Sequence, residues 1–136
     1  MPGTILIVED HHALRNSLQM WLGMEFPLYL VIGAATGEEA VAICRYTAPD
    51  AIVMDINLPQ MSGIEATELI LSSVQHTEVL MLTIHEEDIY RTRALAAGAG
   101  AFILKRDMYT ELVPALSALL AHNGLEQAGG NVTQTT

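Results

Sequence analysis

An α/β domain built on a parallel sheet wrapped by helices is the fold class this sequence predicts, and three observations predict it. Five short apolar runs alternate with five segments of helical period, the pattern of strands joined by covering helices. Three of those runs, 4–8, 51–54 and 79–82, are apolar on successive residues rather than every second one, as strands buried on both faces must be. Hydrophobic residues make up 51% of the 136 while aromatics make up 5%, so the core is built from Leu, Ile, Val, Ala and Met, a mixture that suits helices on a parallel sheet. A chain of this length holds one domain with one continuous core.

The first strand is 4–8, and the helix after it shows the stripe Leu14, Leu18, Trp21 and Leu22. The second strand is 28–33. Thr36 with Glu39 then forms a capping box, in which a hydroxyl and a carboxylate satisfy free amides of a first helical turn, and marks the start of helix two. Strand three is 51–54, and Ser62 with Glu65 repeats the capping signal at helix three. Strands four and five are 79–82 and 101–104, and strands one, three and four are the expected central ones. The last helix carries the stripe Leu112, Leu116, Leu119 and Leu120. With Thr110 as its N-cap, Pro114 falls in the first turn, where its missing N–H has no intrahelical partner to lose. From Asn123 onward the chain is rich in Gly, Gln, Thr and Asn and shows no period. It reads as a flexible tail or linker following a domain over 1–122.

Charge excludes some functions. Lys and Arg total 6 against 16 Asp and Glu, a formal net charge of -10, and so negative a surface repels phosphate backbones and anionic lipid headgroups. A lone Cys44 cannot form an internal disulfide. No signal-peptide pattern precedes the first polar residues, and no apolar run approaches the ~20 residues of a membrane span, so the cytoplasm is the expected compartment. Cys44, beside Ala40 and Val41, reads as a buried small hydrophobe.

In an open parallel sheet, ligands gather beyond the carboxyl ends of the strands, where the loops diverge. Strand one ends in Glu9 and Asp10, strand three in Asp55, strand four in Thr83 and strand five in Lys105. Taken singly, an acidic pair after a strand is usually a solvated turn, and Asp55, Thr83 and Lys105 each have an ordinary reading as a cap or strand terminus. Their joint placement at strand ends points to chemistry. Three crowded carboxylates stay ionised only with a cation among them, and hard oxygen ligands favour Mg²⁺, with the Asn57 backbone carbonyl as a further donor. Asp55 is then placed to attack phosphorus and form an acyl phosphate. Lys105 balances the phosphoryl charge, and the Thr83 hydroxyl donates a hydrogen bond to a phosphoryl oxygen.

Over residues 4 to about 122 the chain resembles bacterial two-component response regulator receiver domains. The matches are ILIVED, DAIVMDINLPQMSGIEAT, VLMLTIHEED and ALAAGAGAFILKRD, of which the stretch from Asp55 through Pro59 to Gly63 is the most specific. The resemblance implies a doubly wound (βα)5 fold of flavodoxin-like or CheY-like type, with strand order 2-1-3-4-5. It implies Mg²⁺ held by Glu9, Asp10, Asp55 and the Asn57 carbonyl. It also implies phosphorylation of Asp55 by a sensor histidine kinase, slow self-catalysed dephosphorylation rather than enzymatic turnover, and a phosphorylation-dependent homodimer. Thr83 and Phe102 are the implied switch pair, with Phe102 where the family often has Tyr, so no phenol hydrogen bond contributes. Its plainer reading is core packing.

His11 after the acidic pair, GIEAT and LTIHEED resemble the NarL/LuxR-type subfamily, whose members usually carry a helix-turn-helix DNA-binding domain after the receiver. DNA is then reached only through such a domain, which this chain does not contain, and transcription is the implied output. The chain reads either as the front of a longer regulator or as a single-domain one. Two positions depart from the common pattern: Arg106 stands where many receivers have Pro, and Ile84 where many have a small residue, narrowing access to Asp55. His11 and His12 diverge by about 100° at a helix start, so they form no metal pair. His85, two residues past Thr83, is a candidate neighbour of the phosphoryl group.

Three rival readings fit the sequence less well. A haloacid-dehalogenase-type phosphatase needs a second Asp where Asn57 stands. A flavodoxin-like flavin carrier wants a Ser, Thr and Gly-rich phosphate loop where Glu9 and Asp10 repel phosphate. A receiver-like adaptor that is never phosphorylated has no need of the intact acid set.

Overall fold

The computed structural model describes residues 3–74 and 76–135, with backbone alone for 124–135. Five strands, β1 (Gly3–Val8), β2 (Tyr29–Ala34), β3 (Ala51–Met54), β4 (Glu78–Thr83) and β5 (Ala101–Leu104), alternate with helices. The helices are α1 (His12–Glu25), α2 (Gly37–Tyr46), α3 (Gly63–Ser73), α4 (Asp88–Ala96) and α5 (Met108–Thr135), the last entered through a single 3₁₀ turn, Lys105–Asp107. The strands pair in parallel in the order β2-β1-β3-β4-β5, the doubly wound order implied by the resemblance.

Alternating side chains of each central strand enter two separate cores. Ile5, Ile7, Val53 and Leu80 meet Leu18 and Leu22 of α1 and Leu112, Leu116 and Leu120 of α5. Leu6, Val8, Met54 and Met81 meet Ala40 and Cys44 of α2, Ile70 of α3 and Ala94 of α4. Strands covered on both faces cannot alternate in polarity, which is why β1, β3 and β4 are legible as unbroken apolar runs. The predicted capping hydroxyls are in place: Thr36 accepts from the Glu39 amide at 3.0 Å and Ser62 from the Glu65 amide at 3.1 Å. The Glu39 carboxylate reaches back to the Ala35 amide at 2.7 Å, completing a variant of the box.

The start of α5 departs from expectation. The 3₁₀ turn at Lys105–Asp107 feeds the helix directly, so α5 begins at Met108 and the Thr110 hydroxyl donates to the Asp107 carbonyl at 3.2 Å from inside it. Pro114 therefore lies beyond the first turn and leaves the Thr110 carbonyl without its helical donor, a loss that water can make good because both residues are exposed. At the far end, Asn123 belongs to the packed body rather than to a tail: it is buried, and its Nδ2 donates to the Asp50 carbonyl at 3.2 Å. Over 124–135, the stretch whose composition reads as a tail, the backbone continues the helix, since propagation adds one hydrogen bond per residue ordered. The side chains of that stretch lie outside the described residues. Among the described residues no helix is long and apolar enough to cross a membrane.

Candidate functional site

Glu9 and Asp10 follow β1, Asp55 follows β3 and Lys105 follows β5, so the parallel sheet delivers them to one end. Backbone bonds hold the strand ends level: Glu9 N–H donates to the Ala34 carbonyl and Asp55 N–H to the Val8 carbonyl, each at 3.0 Å. A glycine at the start of α3 brings that helix down on the site, because a Cβ at Gly63 would collide with the Asp55 carbonyl oxygen. Gly63 N–H meanwhile donates to the Ile56 carbonyl at 2.9 Å. These contacts give the Asp55–Gly63 spacing its physical content.

A carboxylate oxygen from each of Glu9, Asp10 and Asp55 lies within 4.8 Å of the others. Ligands on opposite sides of a small divalent cation are separated by about 4.2 Å, twice its usual bond to oxygen, so the donor set has the chemistry for one such ion and needs only small side-chain shifts to close on it. Lys105 Nζ sits between two of the three, 2.7 Å from Glu9 Oε1 and 3.1 Å from Asp55 Oδ2. Glu9 Oε2 accepts from the His11 amide at 3.0 Å, and Asp55 Oδ1 from the Asn57 amide at 3.1 Å. Each carboxylate oxygen has two lone pairs, so these bonds leave room for a cation. The residues line an open cavity of about 430 Å³, with His11, His12 and Ile84 at its rim.

Burial and shared charge set the protonation states. Burial and then the neighbouring Glu9 charge push the Asp55 carboxyl up to about 6, against the pull of Lys105 and the Asn57 amide. Burial also raises Glu9, but the Lys105 hydrogen bond and the His11 amide outweigh it and hold the carboxyl below its ordinary value. Burial lowers Lys105, yet the Glu9 hydrogen bond and the two carboxylate charges leave it raised overall. The two acids move oppositely because burial and the Glu9 charge prevail at Asp55, whereas the Lys105 and His11 hydrogen bonds prevail at Glu9. Of these two acids, Asp55 is the one whose charge is less well compensated.

Of the residues singled out by sequence, Glu9, Asp10, Asp55, Asn57 and Lys105 converge on the cavity. Thr83 is fully buried at the end of β4, and its Oγ1 accepts from the His85 amide at 3.2 Å. The His85 ring stacks instead on Tyr90 of α4, with centroids 4.1 Å apart and planes at 14°, and does not line the cavity. Phe102 pairs in register with Met81, two residues before Thr83, which makes it a diagonal neighbour of Thr83 on the same face. It is already buried, with the Arg91 guanidinium 4.7 Å from its ring centroid. Arg106, at the position often held by Pro, pairs with Glu86 across the two loops, and no described peptide bond is cis. Cys44 is buried as expected, and burial pushes its thiol up to about 11.

Two features of the first α1 turn escaped sequence reasoning. His11 is the N-cap, its Nδ1 accepting from the Leu14 amide at 3.2 Å, and Arg15 Nη1 donates to the Glu9 carbonyl at 2.8 Å. The His11-to-Leu14 spacing was the available signal for the cap, masked because His is not among the preferred capping residues.

The profile of the response regulator receiver domain family matches residues 5–117. Transcriptional regulatory protein DegU of Brevibacillus brevis is 34% identical over 115 residues, which is 85% of this chain and 49% of that protein. A solved two-component response regulator of the LuxR family from Aurantimonas sp. SI85-9A1 superposes with a TM-score of 0.83 at 34% identity, covering 90% of this chain and 87% of that one. A CheY-like response regulator receiver domain protein from Methanospirillum hungatei JF-1 superposes with a TM-score of 0.86 at 28% identity, covering 93% and 99%. The chain spans about half the length of the curated relatives it matches.

Proposed function

Since the chain belongs to the response regulator receiver family, we propose that it is a phosphorylation-controlled switch in which Asp55 accepts a phosphoryl group from a sensor histidine kinase. The observation that carries this reading is the convergence of Glu9, Asp10 and Asp55 within 4.8 Å, with Lys105 hydrogen-bonded to two of them. In the transfer, an Asp55 carboxylate oxygen bonds to phosphorus as the P–N bond of the donor phosphohistidine breaks, and the imidazole leaves with the bonding electrons and takes up a proton. Glu9, Asp10, Asp55 and the Asn57 carbonyl would hold Mg²⁺, which would supply positive charge to offset that of the phosphoryl oxygens.

Lys105, already on Asp55 Oδ2, supplies the cation for a phosphoryl oxygen. The Thr83 hydroxyl turns toward the new acceptor, and because its Oγ1 also holds the His85 amide, the β4–α4 loop moves with it. Phe102 and α4 then settle into a second arrangement that a partner surface reads. Transcription through a helix-turn-helix domain outside this chain is the output we favour, with residues 124–136 leading toward it, a phosphorylation-dependent homodimer as the active form, and the cytoplasm as the place where kinase and regulator meet. The domain itself runs no metabolic turnover.

Incubation with acetyl phosphate, in Mg²⁺ and in EDTA, tests the reading on a gel that retards phosphoproteins. Retardation in Mg²⁺ alone is expected. No retardation in either condition would leave an unphosphorylated adaptor as the better account.

A further inference from the structure

We infer that Arg15 is a positioning residue whose guanidinium holds the Glu9–Asp10 turn in the shape that presents its carboxylates to the cation. The inference rests on the proposed metal-dependent function and extends it to a residue outside the ligand set.

The peptide linking Glu9 to Asp10 is a rigid plane that contains both the Glu9 carbonyl and the Asp10 N–H. Whatever fixes that carbonyl fixes the point from which the Asp10 side chain departs. Arg15 Nη1 donates to it at 2.8 Å, a charge-assisted bond in a partly buried setting. The remaining polar atoms of Glu9 are also engaged: N–H on the Ala34 carbonyl, Oε1 on Lys105 and Oε2 on the His11 amide. Among these contacts, the Arg15 bond is the one through which a side chain controls the turn's backbone.

The guanidinium is itself oriented. Nη2 donates to His12 Nδ1 at 3.1 Å. A planar fork held at two points has a fixed direction, which a lysine ammonium lacks. Its stem runs over β2 at Gly33, where an added Cβ would stand 3.1 Å from Arg15 Cδ and 2.6 Å from Gln19 Oε1. The absence of a side chain at Gly33 leaves room on this part of β2 for the Gln19 and Arg15 side chains.

The sign of one measured change separates positioning from simple electrostatics. Deleting a positive charge beside a cation site strengthens cation binding by Coulomb's law, whereas releasing the turn weakens it. Calorimetric titration of Mg²⁺ into Arg15→Gln should give a Kd raised by about tenfold, the size expected when a residue that orients a ligand is lost. Arg15→Lys, which keeps the charge and one donor, should lose less. A Kd in Arg15→Gln equal to or tighter than the parent's overturns the inference.

Arg15→Met, which keeps the apolar stem and removes the guanidinium, decides the matter should Arg15→Gln not fold. A raised Kd is expected, and an unchanged one overturns the inference. Amide hydrogen exchange at Asp10 and His11 in EDTA gives a metal-free reading, expected faster in Arg15→Gln and overturning the inference if unchanged. A parent protein that binds no Mg²⁺ would instead sink the proposed function, and the exchange rates would still judge Arg15.

Discussion

Replacing Asp55 with Asn should make the metal-free protein more stable at pH 7.5, although it destroys the proposed phosphorylation site. The folded state raises this carboxyl from 3.8 to about 6, chiefly through burial and the facing Glu9 charge. A group whose folded pKa is raised binds its proton more tightly when folded. The stability it contributes is thus fully present below pH 3.8 and is lost as pH rises through about 6. Two pKa units correspond to about 3 kcal/mol, the penalty carried by ionised Asp55 at pH 7.5. The amide of Asn is nearly isosteric, is neutral, and keeps an oxygen for the Asn57 N–H. It gives up the Lys105 contact, a loss of about 1 kcal/mol, so the net gain is about 1–2 kcal/mol. Urea unfolding followed by circular dichroism in EDTA should show a higher midpoint for Asp55→Asn at pH 7.5, and the advantage should shrink by pH 4 as the parent carboxyl protonates. A variant less stable than the parent at pH 7.5, or one whose advantage is undiminished at pH 4, would refute the electrostatic reasoning.

Other consequences follow from particular contacts. Thr83→Ala should still be phosphorylated at Asp55, yet beryllofluoride should then shift the amide resonances around Phe102 much less than in the parent; equal shifts would remove the hydroxyl as transmitter. Gly63→Ala forces a methyl group against the Asp55 carbonyl and should lower stability by more than about 2 kcal/mol in urea unfolding. A loss below about 0.5 kcal/mol would mean that α3 can retreat without strain. Cys44, buried with its thiol pushed up to about 11, should react with a disulfide reagent at pH 8 far more slowly in the native state than in urea. Equal rates would contradict its packing in the α2 core.

Much of this architecture is legible in the sequence because burial on both faces leaves a mark that needs no tertiary knowledge. The runs at β1, β3 and β4 are continuous in hydrophobicity, and their carboxyl ends locate Glu9, Asp55 and Thr83 without any knowledge of which strands are neighbours. The capping hydroxyls of Thr36 and Ser62 are local signals and are equally readable. What hid from the sequence depends on the exact path of the chain. The 3₁₀ turn after Lys105 shifts the start of α5 from Thr110 to Met108 because no composition rule separates a tight turn from a first helical turn. The turning of His85 onto Tyr90 depends on where α4 lies beside its loop. Arg15 meets the Glu9 carbonyl through the path the chain takes between β1 and α1, and its stem lies beside Gly33 of another strand.

The central claim, that Asp55 is the phosphoryl acceptor, is tested most directly by locating the modification. After incubation with Mg²⁺ and acetyl phosphate, borohydride reduction converts an aspartyl phosphate to homoserine, which peptide mass spectrometry places on a residue. The account predicts homoserine at position 55 in the parent and none in Asp55→Asn. Homoserine at another acidic residue, or a phosphate that persists in Asp55→Asn, would contradict it.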